Sequence, residues 1–147
     1  MLSLRHITAL LLALALPVQY AESRQRLSGP VTANLLEVID GDTLLVEATP
    51  WPDHRIITYV RLRGIDAPEL RSSCFESRRR AIEAKDVLKS LVPDDATLEL
   101  TDIAGDKYYG RIVAAVRLKN GQDLGSAMLS AGLARPYDGG RKEPPLC

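Results

Sequence analysis

Four carboxylates stand beside predicted strand ends and could bind a metal ion. Asp40 and Asp42 belong to an Asp-Gly-Asp turn, and Asp66 and Glu69 flank an Ala-Pro pair further along the chain. If the two turns are neighbours in space, their oxygens form a pocket suited to a hard cation such as calcium. Neither segment contains histidine or cysteine, which disfavours zinc and copper. Ordinary turn chemistry is the alternative, because hairpins commonly use Asp-Gly-Asp.

Two arginines could hold a phosphate beside such a cation. Arg61 precedes Asp66 on one predicted strand, and Arg111 closes an Asp-Lys-Tyr-Tyr-Gly-Arg loop before another strand. Guanidinium groups bind phosphate oxygens in pairs, so a cation with both arginines would neutralise the charge that grows in the transition state of phosphodiester hydrolysis. Glu69 would be free to take a proton from the attacking water, or to orient it. Taken singly, each arginine could instead pair with a nearby carboxylate and have no other role.

The stretch from residue 56 to residue 65 predicts the strand that positions Arg61. Val60 and Leu62 alternate with arginines, so one face is apolar and the other cationic, as in a half-buried strand. Pro68 cannot donate to a β-ladder and disfavours helix at the residue before it. The strand should therefore end there and leave both carboxylates of this corner on a turn.

The rest of the pattern predicts an α+β chain. Residues 74–91 and 124–131 have apolar residues at helical spacing, and the other periodic segments alternate as strands. Three strands, a helix, two strands and a short helix fit a five-stranded β-barrel of the oligonucleotide/oligosaccharide-binding (OB) type, with a central helix and a short second helix. The other predicted strands are residues 31–39, 43–48, 96–101 and 112–118, and residues 49–53 are predicted to form a loop.

The central helix is predicted to bury one apolar face. Ser72 or Ser73 is expected to cap its start, and Pro93 should end it. The predicted core residues of this helix are Phe75, Ala81, Ile82, Ala84, Val87, Leu88 and Leu91.

Length and charge limit the possible functions. The chain has 147 residues, enough for one domain with a real core, and its 19 basic and 19 acidic residues give no net formal charge. Nonspecific binders of polyanions are usually more basic. Neutrality therefore counts against nucleic acid as a partner unless local charge or a bound cation compensates for it.

The N-terminus has the pattern of a secretory signal. A short basic start precedes a mainly apolar run at residues 7–18, and small residues follow at 21–23. The apolar run is too short to span a bilayer comfortably, although an uncleaved membrane anchor is the alternative. We expect residues 1–23 to be a signal peptide and residues 24–147 to be the domain, in a secreted or periplasmic protein with no stable membrane association after processing. The cleavage site, after Ala21 or Ser23, stays open.

Cys74 and Cys147 are the two cysteines of the chain. In an exported protein such a pair predicts a disulfide, which would attach the C-terminus to the start of the central helix. In the chain-entropy model, closing a loop of that size stabilises the fold by roughly 4 kcal/mol. Two free thiols are the alternative. A metal site that uses the two cysteines is disfavoured, because the chain has few histidines to complete it.

Three blocks of sequence resemble the signature motifs of the staphylococcal-type thermonuclease family. They are residues 38–43 (Val-Ile-Asp-Gly-Asp-Thr), 60–69 (Val-Arg-Leu-Arg-Gly-Ile-Asp-Ala-Pro-Glu) and 106–111 (Asp-Lys-Tyr-Tyr-Gly-Arg). The blocks occur in the family's order, and the resemblance covers nearly all of the mature chain. It implies an OB-type barrel and a calcium-dependent nuclease. Such an enzyme would cut DNA and RNA, single-stranded or as frayed duplex, with little sequence preference, and would leave 3′-phosphate ends.

The resemblance also implies a metal site and a base. Asp42 and Asp66 would be direct calcium ligands, the backbone carbonyl of Ala67 would be a third ligand, and Asp40 would act through water. Glu69 would be the candidate general base, which removes a proton from the attacking water or orders that water.

For the substrate, the resemblance implies a second set of contacts. Arg61 and Arg111 would bind the scissile phosphate and stabilise its transition state, and Arg111 would also assist the leaving oxygen. Tyr109 would lie against the terminal phosphate or base of the substrate, with Lys107 nearby.

The chain departs from the best-known family member at several places. Ala67 replaces a threonine, which matters little if only the carbonyl binds the metal. The tyrosine loop holds an extra residue, and a lysine-rich loop is missing after Glu69. The C-terminal helix is also missing, and Arg135 and Tyr137 of the tail are candidates for a replacement phosphate-binding and stacking surface. With a near-neutral charge, substrate binding should depend more on the cation than in basic relatives.

Two other functions stay open. The barrel could be a noncatalytic OB-fold module that binds nucleic acid or protein, or a calcium-stabilised structural domain without a substrate. Binding modules of this kind typically lose the carboxylates or the arginines, whereas this chain has the full set. We expect a monomer.

Overall fold

The computed structural model describes residues 25–144 and residue 147. The predicted signal peptide, residues 1–23, lies outside the described residues. Within them, no helix combines the length and the hydropathy needed to cross a membrane. The elements are β1 (Arg26–Leu27), β2 (Val31–Asp40), β3 (Thr43–Trp51), β4 (His54–Leu62), β5 (Ile65–Asp66), α1 (Phe75–Leu91), β6 (Thr97–Gly105), β7 (Arg111–Leu118), α2 (Leu124–Ser130) and β8 (Arg135–Pro136).

Five of the strands close into a barrel. The order around it is β2, β3, β4, β7, β6 and back to β2, and every neighbouring pair is antiparallel except β4 and β7, which are parallel. Outside the barrel, β1 pairs with β6, and β5 pairs with β8. The α+β, five-stranded OB-type barrel with two helices that the sequence predicts is therefore confirmed.

The inward face of β4 fixes the direction of Arg61. Val60 and Leu62 are buried in the barrel core. Because alternate residues of a strand point to opposite sides, Tyr59 and Arg61 face outward. The strand thus carries a cationic side chain to the outer side of the barrel sheet, where it is buried beside the corner that contains β5.

The prediction for α1 was partly wrong. Ala81, Ala84 and Leu88 are fully buried, but Phe75 and Ile82 are 67% and 55% exposed. Ile82 follows Ala81 directly, and one helical step turns a side chain by about 100°, so Ile82 points away from the barrel.

The predicted serine cap of α1 was also wrong. Cys74 is the N-cap residue, and its own side chain makes no capping hydrogen bond. The Ser72 hydroxyl instead accepts the Cys74 amide at 3.2 Å. The Arg78 guanidinium donates to the Ser72 carbonyl at 2.7 Å and to the Ser73 carbonyl at 2.9 Å, which stabilises this approach to the helix.

Two strands extend further than the alternation predicts. β3 runs to Trp51 through the segment predicted as a loop, and a register shift between Ala48 and Trp51 accommodates Pro50, which has no amide hydrogen to donate. β6 runs to Gly105, with a second shift between Thr101 and Ala104. Such bulges interrupt the period of two on which strand bounds are predicted.

The disulfide that the sequence predicts is present. Cys74 and Cys147 are bonded, with their Cα atoms 5.9 Å apart. The last residue of the chain is thereby fixed at the start of α1.

Candidate active site

Arg61 lies at the centre of a buried group of charges. Its Nη2 atom donates a hydrogen bond to Asp66 Oδ1 at 2.7 Å and lies 3.2 Å from Asp42 Oδ2. The β3–β4 register causes this approach, because Thr43 pairs with Arg61 and Asp42 directly precedes Thr43. Burial alone would lower the pKa of Arg61, but the two carboxylates outweigh it and the pKa is raised. The Asp-Gly-Asp turn and the β5 corner are therefore neighbours in space.

Asp42 is held by several hydrogen bonds besides its ion pair. The Thr43 hydroxyl donates to Oδ1 at 2.9 Å, and the Ala67 amide donates to Oδ2 at 2.9 Å. The Asp42 amide in turn donates to Asp40 Oδ1 at 3.1 Å. Burial raises the pKa of Asp42 to about 6, although Arg61 acts in the opposite direction. A further cation would favour the charged form of this carboxylate.

Glu69 and Asp66 share one cation from the end of the chain. Lys142 Nζ lies 2.8 Å from Glu69 Oε1 and 2.9 Å from Asp66 Oδ1. Burial works against the ammonium charge, but hydrogen bonds to the two carboxylates prevail, so the pKa of Lys142 is raised. The structure thus brings Glu69 beside the Asp66 end of the charge group.

Arg111 makes no contact with Asp42 or Asp66 within the described residues. Its Nε atom forms a short ion pair with Asp106, and its guanidinium carbon lies 4.7 Å from the centre of the Tyr108 ring. In the parallel β4–β7 register Arg111 pairs with Tyr59, so it lies on the same outer face as Arg61. The structure therefore places both arginines on one face but brings only Arg61 to the carboxylates.

The predicted substrate-binding residues differ in how they relate to this group of charges. Tyr109 is fully exposed, and Lys107 Nζ lies 5.1 Å from the centre of the Tyr108 ring. The Tyr137 ring centre lies 5.6 Å from the guanidinium carbon of Arg61, so Tyr137 is at the site.

Arg135 is turned towards the end of the chain. Its Nη1 atom donates to Glu143 Oε2 at 2.7 Å. Arg135 nevertheless pairs with Asp66 along the β5–β8 backbone, which keeps its main chain beside the site.

Three residues at the site were missed by sequence reasoning: Asp106, Tyr108 and Lys142. Asp106 and Tyr108 belong to the recognised tyrosine loop, but spacing does not say which of its side chains contact Arg111. Lys142 stands in an aperiodic tail. The signal that could have found it is the predicted disulfide, since a bond between Cys147 and Cys74 limits how far Lys142 can lie from the start of α1.

A cavity of about 400 Å³ adjoins the carboxylates. One wall is the corner from Asp66 to Glu69, another is the start of α1, and a third is the tail around Lys142. A substrate group next to Glu69 would therefore find a preformed space.

The oxygen atoms at the site are those that a hard cation prefers. Within residues 25–144 and 147, no three or more side chains of the kinds His, Cys, Asp and Glu form a ready metal cluster. The carboxylates that converge are those of Asp42 and Asp66, which both contact Arg61. A cation held there would need backbone carbonyl or water oxygens to complete its shell, as calcium commonly has.

Comparisons with known proteins place this geometry in a family. The family model described as staphylococcal nuclease homologue matches residues 59–144, a region that contains Arg61, Asp66 and Glu69. An uncharacterized endonuclease of Escherichia coli is 31% identical over 120 residues, which are 82% of this chain and 70% of that protein. A protein of the same description in Escherichia coli O157:H7 is 30% identical over 120 residues, with the same coverage. Because the family model covers more than half of the sequence, the chain belongs to the staphylococcal nuclease homologue family.

Proposed function

We propose that this chain is a calcium-dependent nuclease that hydrolyses DNA and RNA with little sequence preference and leaves 3′-phosphate ends. The observation that carries the proposal is the convergence of Asp42 and Asp66 on Arg61, with Glu69 beside them. Family membership and the endonuclease descriptions of the two Escherichia coli relatives support a nuclease.

Asp42 and Asp66 would hold the calcium ion, with the carbonyl of Ala67 as a further ligand and Asp40 acting through water. Hard carboxylate oxygens without sulfur or imidazole fit calcium. The positive charge of the ion would stabilise the ionised form of the buried Asp42. When bound, calcium would supply positive charge that polarises the phosphate and offsets its developing negative charge.

The side chains of the protein have separate roles in the reaction. Glu69 accepts a proton from water, or orients that water, as its oxygen attacks phosphorus. The bond from phosphorus to the 5′ oxygen breaks, the leaving oxygen takes up a proton, and the phosphate stays on the 3′ oxygen. Arg61 stabilises the charge on the phosphate oxygens. Arg111 leaves Asp106, binds the same phosphate and assists the leaving oxygen.

The surface around the site suits an extended single strand. Tyr109 is exposed for contact with a base or terminal phosphate, and Tyr137 offers a ring beside Arg61. Lys107 and Arg135 add positive charge, although Arg135 must leave Glu143 to bind phosphate. Because the chain has no net charge, this local charge and the bound cation would supply most of the attraction for a polyanion.

A secreted or periplasmic monomer is the proposed form of the enzyme. The Cys74–Cys147 disulfide supports an oxidising compartment, where such bonds persist. Residues 1–23 would be the signal that is removed on export.

The test uses residues 24–147 with single-stranded DNA and RNA oligonucleotides, first with calcium and then with chelator. We expect cleavage that chelator abolishes and products that a 3′-phosphatase modifies. Glu69→Gln should lower kcat by about 10²- to 10⁴-fold, the usual contribution of a general base. Glu76→Gln, at an exposed glutamate of α1, is the matched control and should cleave like the parent protein.

The alternative functions give different results. Tight binding of oligonucleotides without cleavage under any divalent cation would assign the barrel to the noncatalytic binding modules. Cleavage that persists in chelator would contradict the calcium dependence, and stabilisation by calcium without binding or cleavage would indicate a structural domain.

A further inference from the structure

The C-terminal tail, described at residues 137–144 and 147, returns across the β5 corner and is anchored at both ends. At its start, β8 pairs with β5, and the Tyr137 amide donates to the Gly64 carbonyl at 2.9 Å. At its end, Cys147 is disulfide-bonded to Cys74, the N-cap residue of α1. Between these anchors, Lys142 and Glu143 line the cavity.

Lys142 is the tail residue that enters the site. Its ammonium bridges Glu69 Oε1 at 2.8 Å and Asp66 Oδ1 at 2.9 Å. The Glu69 side chain is 68% exposed, so without a partner it would exchange among many rotamers. In the described part of the chain, Lys142 is the one side chain that forms a hydrogen bond or ion pair with the Glu69 carboxylate.

The anchoring separates this contact from an ordinary surface ion pair. Exposed pairs usually contribute little, because two long side chains must be ordered to form them. Here the tail is already ordered by a strand pair and a disulfide, and Asp66 is fixed by Arg61 at 2.7 Å. The ammonium therefore has a defined place from which it can hold Glu69.

We propose that Lys142 is a positioning residue, which holds the Glu69 carboxylate beside Asp66 so that it is ready to act on the attacking water. This inference rests on the proposed nuclease function and adds a role for the tail. Lys142 acts through Glu69 and need not touch the substrate. A small misplacement of a catalytic group is costly in rate, so the effect should appear in kcat.

The test compares Lys142→Ala and Lys142→Arg with the parent protein, in single-stranded DNA cleavage and in calcium titration calorimetry. Lys142→Ala should lower kcat by about 10- to 100-fold, as loss of a supporting residue commonly does, with KM within about threefold. Lys142→Arg, which can still donate to both carboxylates, should recover most of kcat. The calcium affinity of Lys142→Ala should be unchanged or higher, because a cation beside Asp66 is removed.

Arg141→Ala is the matched control, since Arg141 is an exposed neighbouring cation without a described contact to a carboxylate, and it should keep the parent kcat. An unchanged or raised kcat in Lys142→Ala would overturn the inference, and a raised kcat would make Lys142 a plug of the site. A fall in kcat matched by weaker calcium binding would also overturn it, because the lysine would then act through the metal site. If the parent protein itself does not cleave, the proposed function fails, which is a separate result.

Discussion

Asp42 is a buried carboxylate. Its neighbours compensate only part of the desolvation cost of its charge. Burial raises its pKa from 3.8 to about 6, so the folded protein binds a proton there more tightly than the unfolded chain does. Stability from this group is therefore present at low pH and is lost as the pH rises through about 6. At about 1.36 kcal/mol per pKa unit, the loss amounts to up to about 3 kcal/mol.

Asp42→Asn should remove this dependence. With chelator present, the free energy of unfolding of the parent protein, minus that of Asp42→Asn, should fall between about pH 4 and pH 7. Urea denaturation at several pH values gives this difference, from which groups common to both proteins cancel. Asp94→Asn, at an exposed position, controls for the loss of one negative charge. A difference that stays flat or grows with pH would contradict the assigned burial effect.

At the scale of single residues, the sequence predicted that the two carboxylate turns could be neighbours, but not which side chains would pair. Asp42 and Arg61 follow from the pattern, because consecutive strands pair and their register joins the turn to the strand. The partner of Arg111 does not follow from the sequence pattern. Asp106 lies five residues before Arg111 in the same loop, and the conformation of that loop brings its carboxylate to the guanidinium. No periodic signal places Lys142, because it stands in an aperiodic tail.

Gly41 sets how closely the Asp-Gly-Asp turn approaches two other elements. A Cβ at this position would lie 2.6 Å from the Ala84 Cβ of α1 and 2.9 Å from the Ala67 Cβ of the corner. Neither neighbour has a flexible end that could move aside, so the elements themselves must separate. The glycine is thus required by packing between the turn, the helix and the corner.

Gly41→Ala should lower the free energy of unfolding by about 1 to 3 kcal/mol, the usual cost of overpacking. It should also weaken calcium binding, because the displaced turn carries Asp40 and Asp42. Gly105→Ala is the matched control, since a Cβ added there would have nothing within 4 Å and its φ is not in the left-handed region. Chemical denaturation and calcium calorimetry measure both effects.

A second substitution tests the cause. Ala84→Gly removes the nearer methyl group and should restore part of the stability of Gly41→Ala, despite its own cost of about 1 kcal/mol in a helix. Equal losses in Gly41→Ala and Gly105→Ala would contradict the packing argument.

At the scale of elements, the type of each segment was predictable and its extent was less so. β2 and β7 were predicted to within a residue or so of their bounds, because their alternation is uninterrupted by proline. β3 continues past Pro50 because a bulge absorbs it, and no pattern in one strand reveals a bulge, which depends on the partner. The exposure of Ile82 likewise depends on which face of α1 meets the barrel.

The molecule as a whole consists of a barrel and a C-terminal tail. The sequence motifs predict the barrel, but they do not predict the position of the tail. The barrel closes through the pairing of β6 with β7, and the pairing of β3 with β4 brings the Asp42 turn next to Arg61. The tail is held by the β5–β8 pair and by the disulfide, which joins residues 73 positions apart. Stability and the arrangement at Glu69 should therefore respond differently when the disulfide is removed.

The Cys74→Ser/Cys147→Ser double variant should lose roughly 4 kcal/mol of unfolding free energy, because its unfolded chain is no longer restricted by a closed loop. Its barrel should remain folded, since the core residues come from the strands and helices, and its calcium affinity should stay close to that of the parent protein. Its kcat should be as low as that of Lys142→Ala, because the tail no longer holds the Lys142 ammonium against Glu69. Parent protein in reductant should give the same denaturation curve as the double variant. A double variant that is as stable as the oxidised parent would show that the loop contributes nothing, and one that keeps full kcat would show that the β5–β8 pair alone suffices to hold the tail.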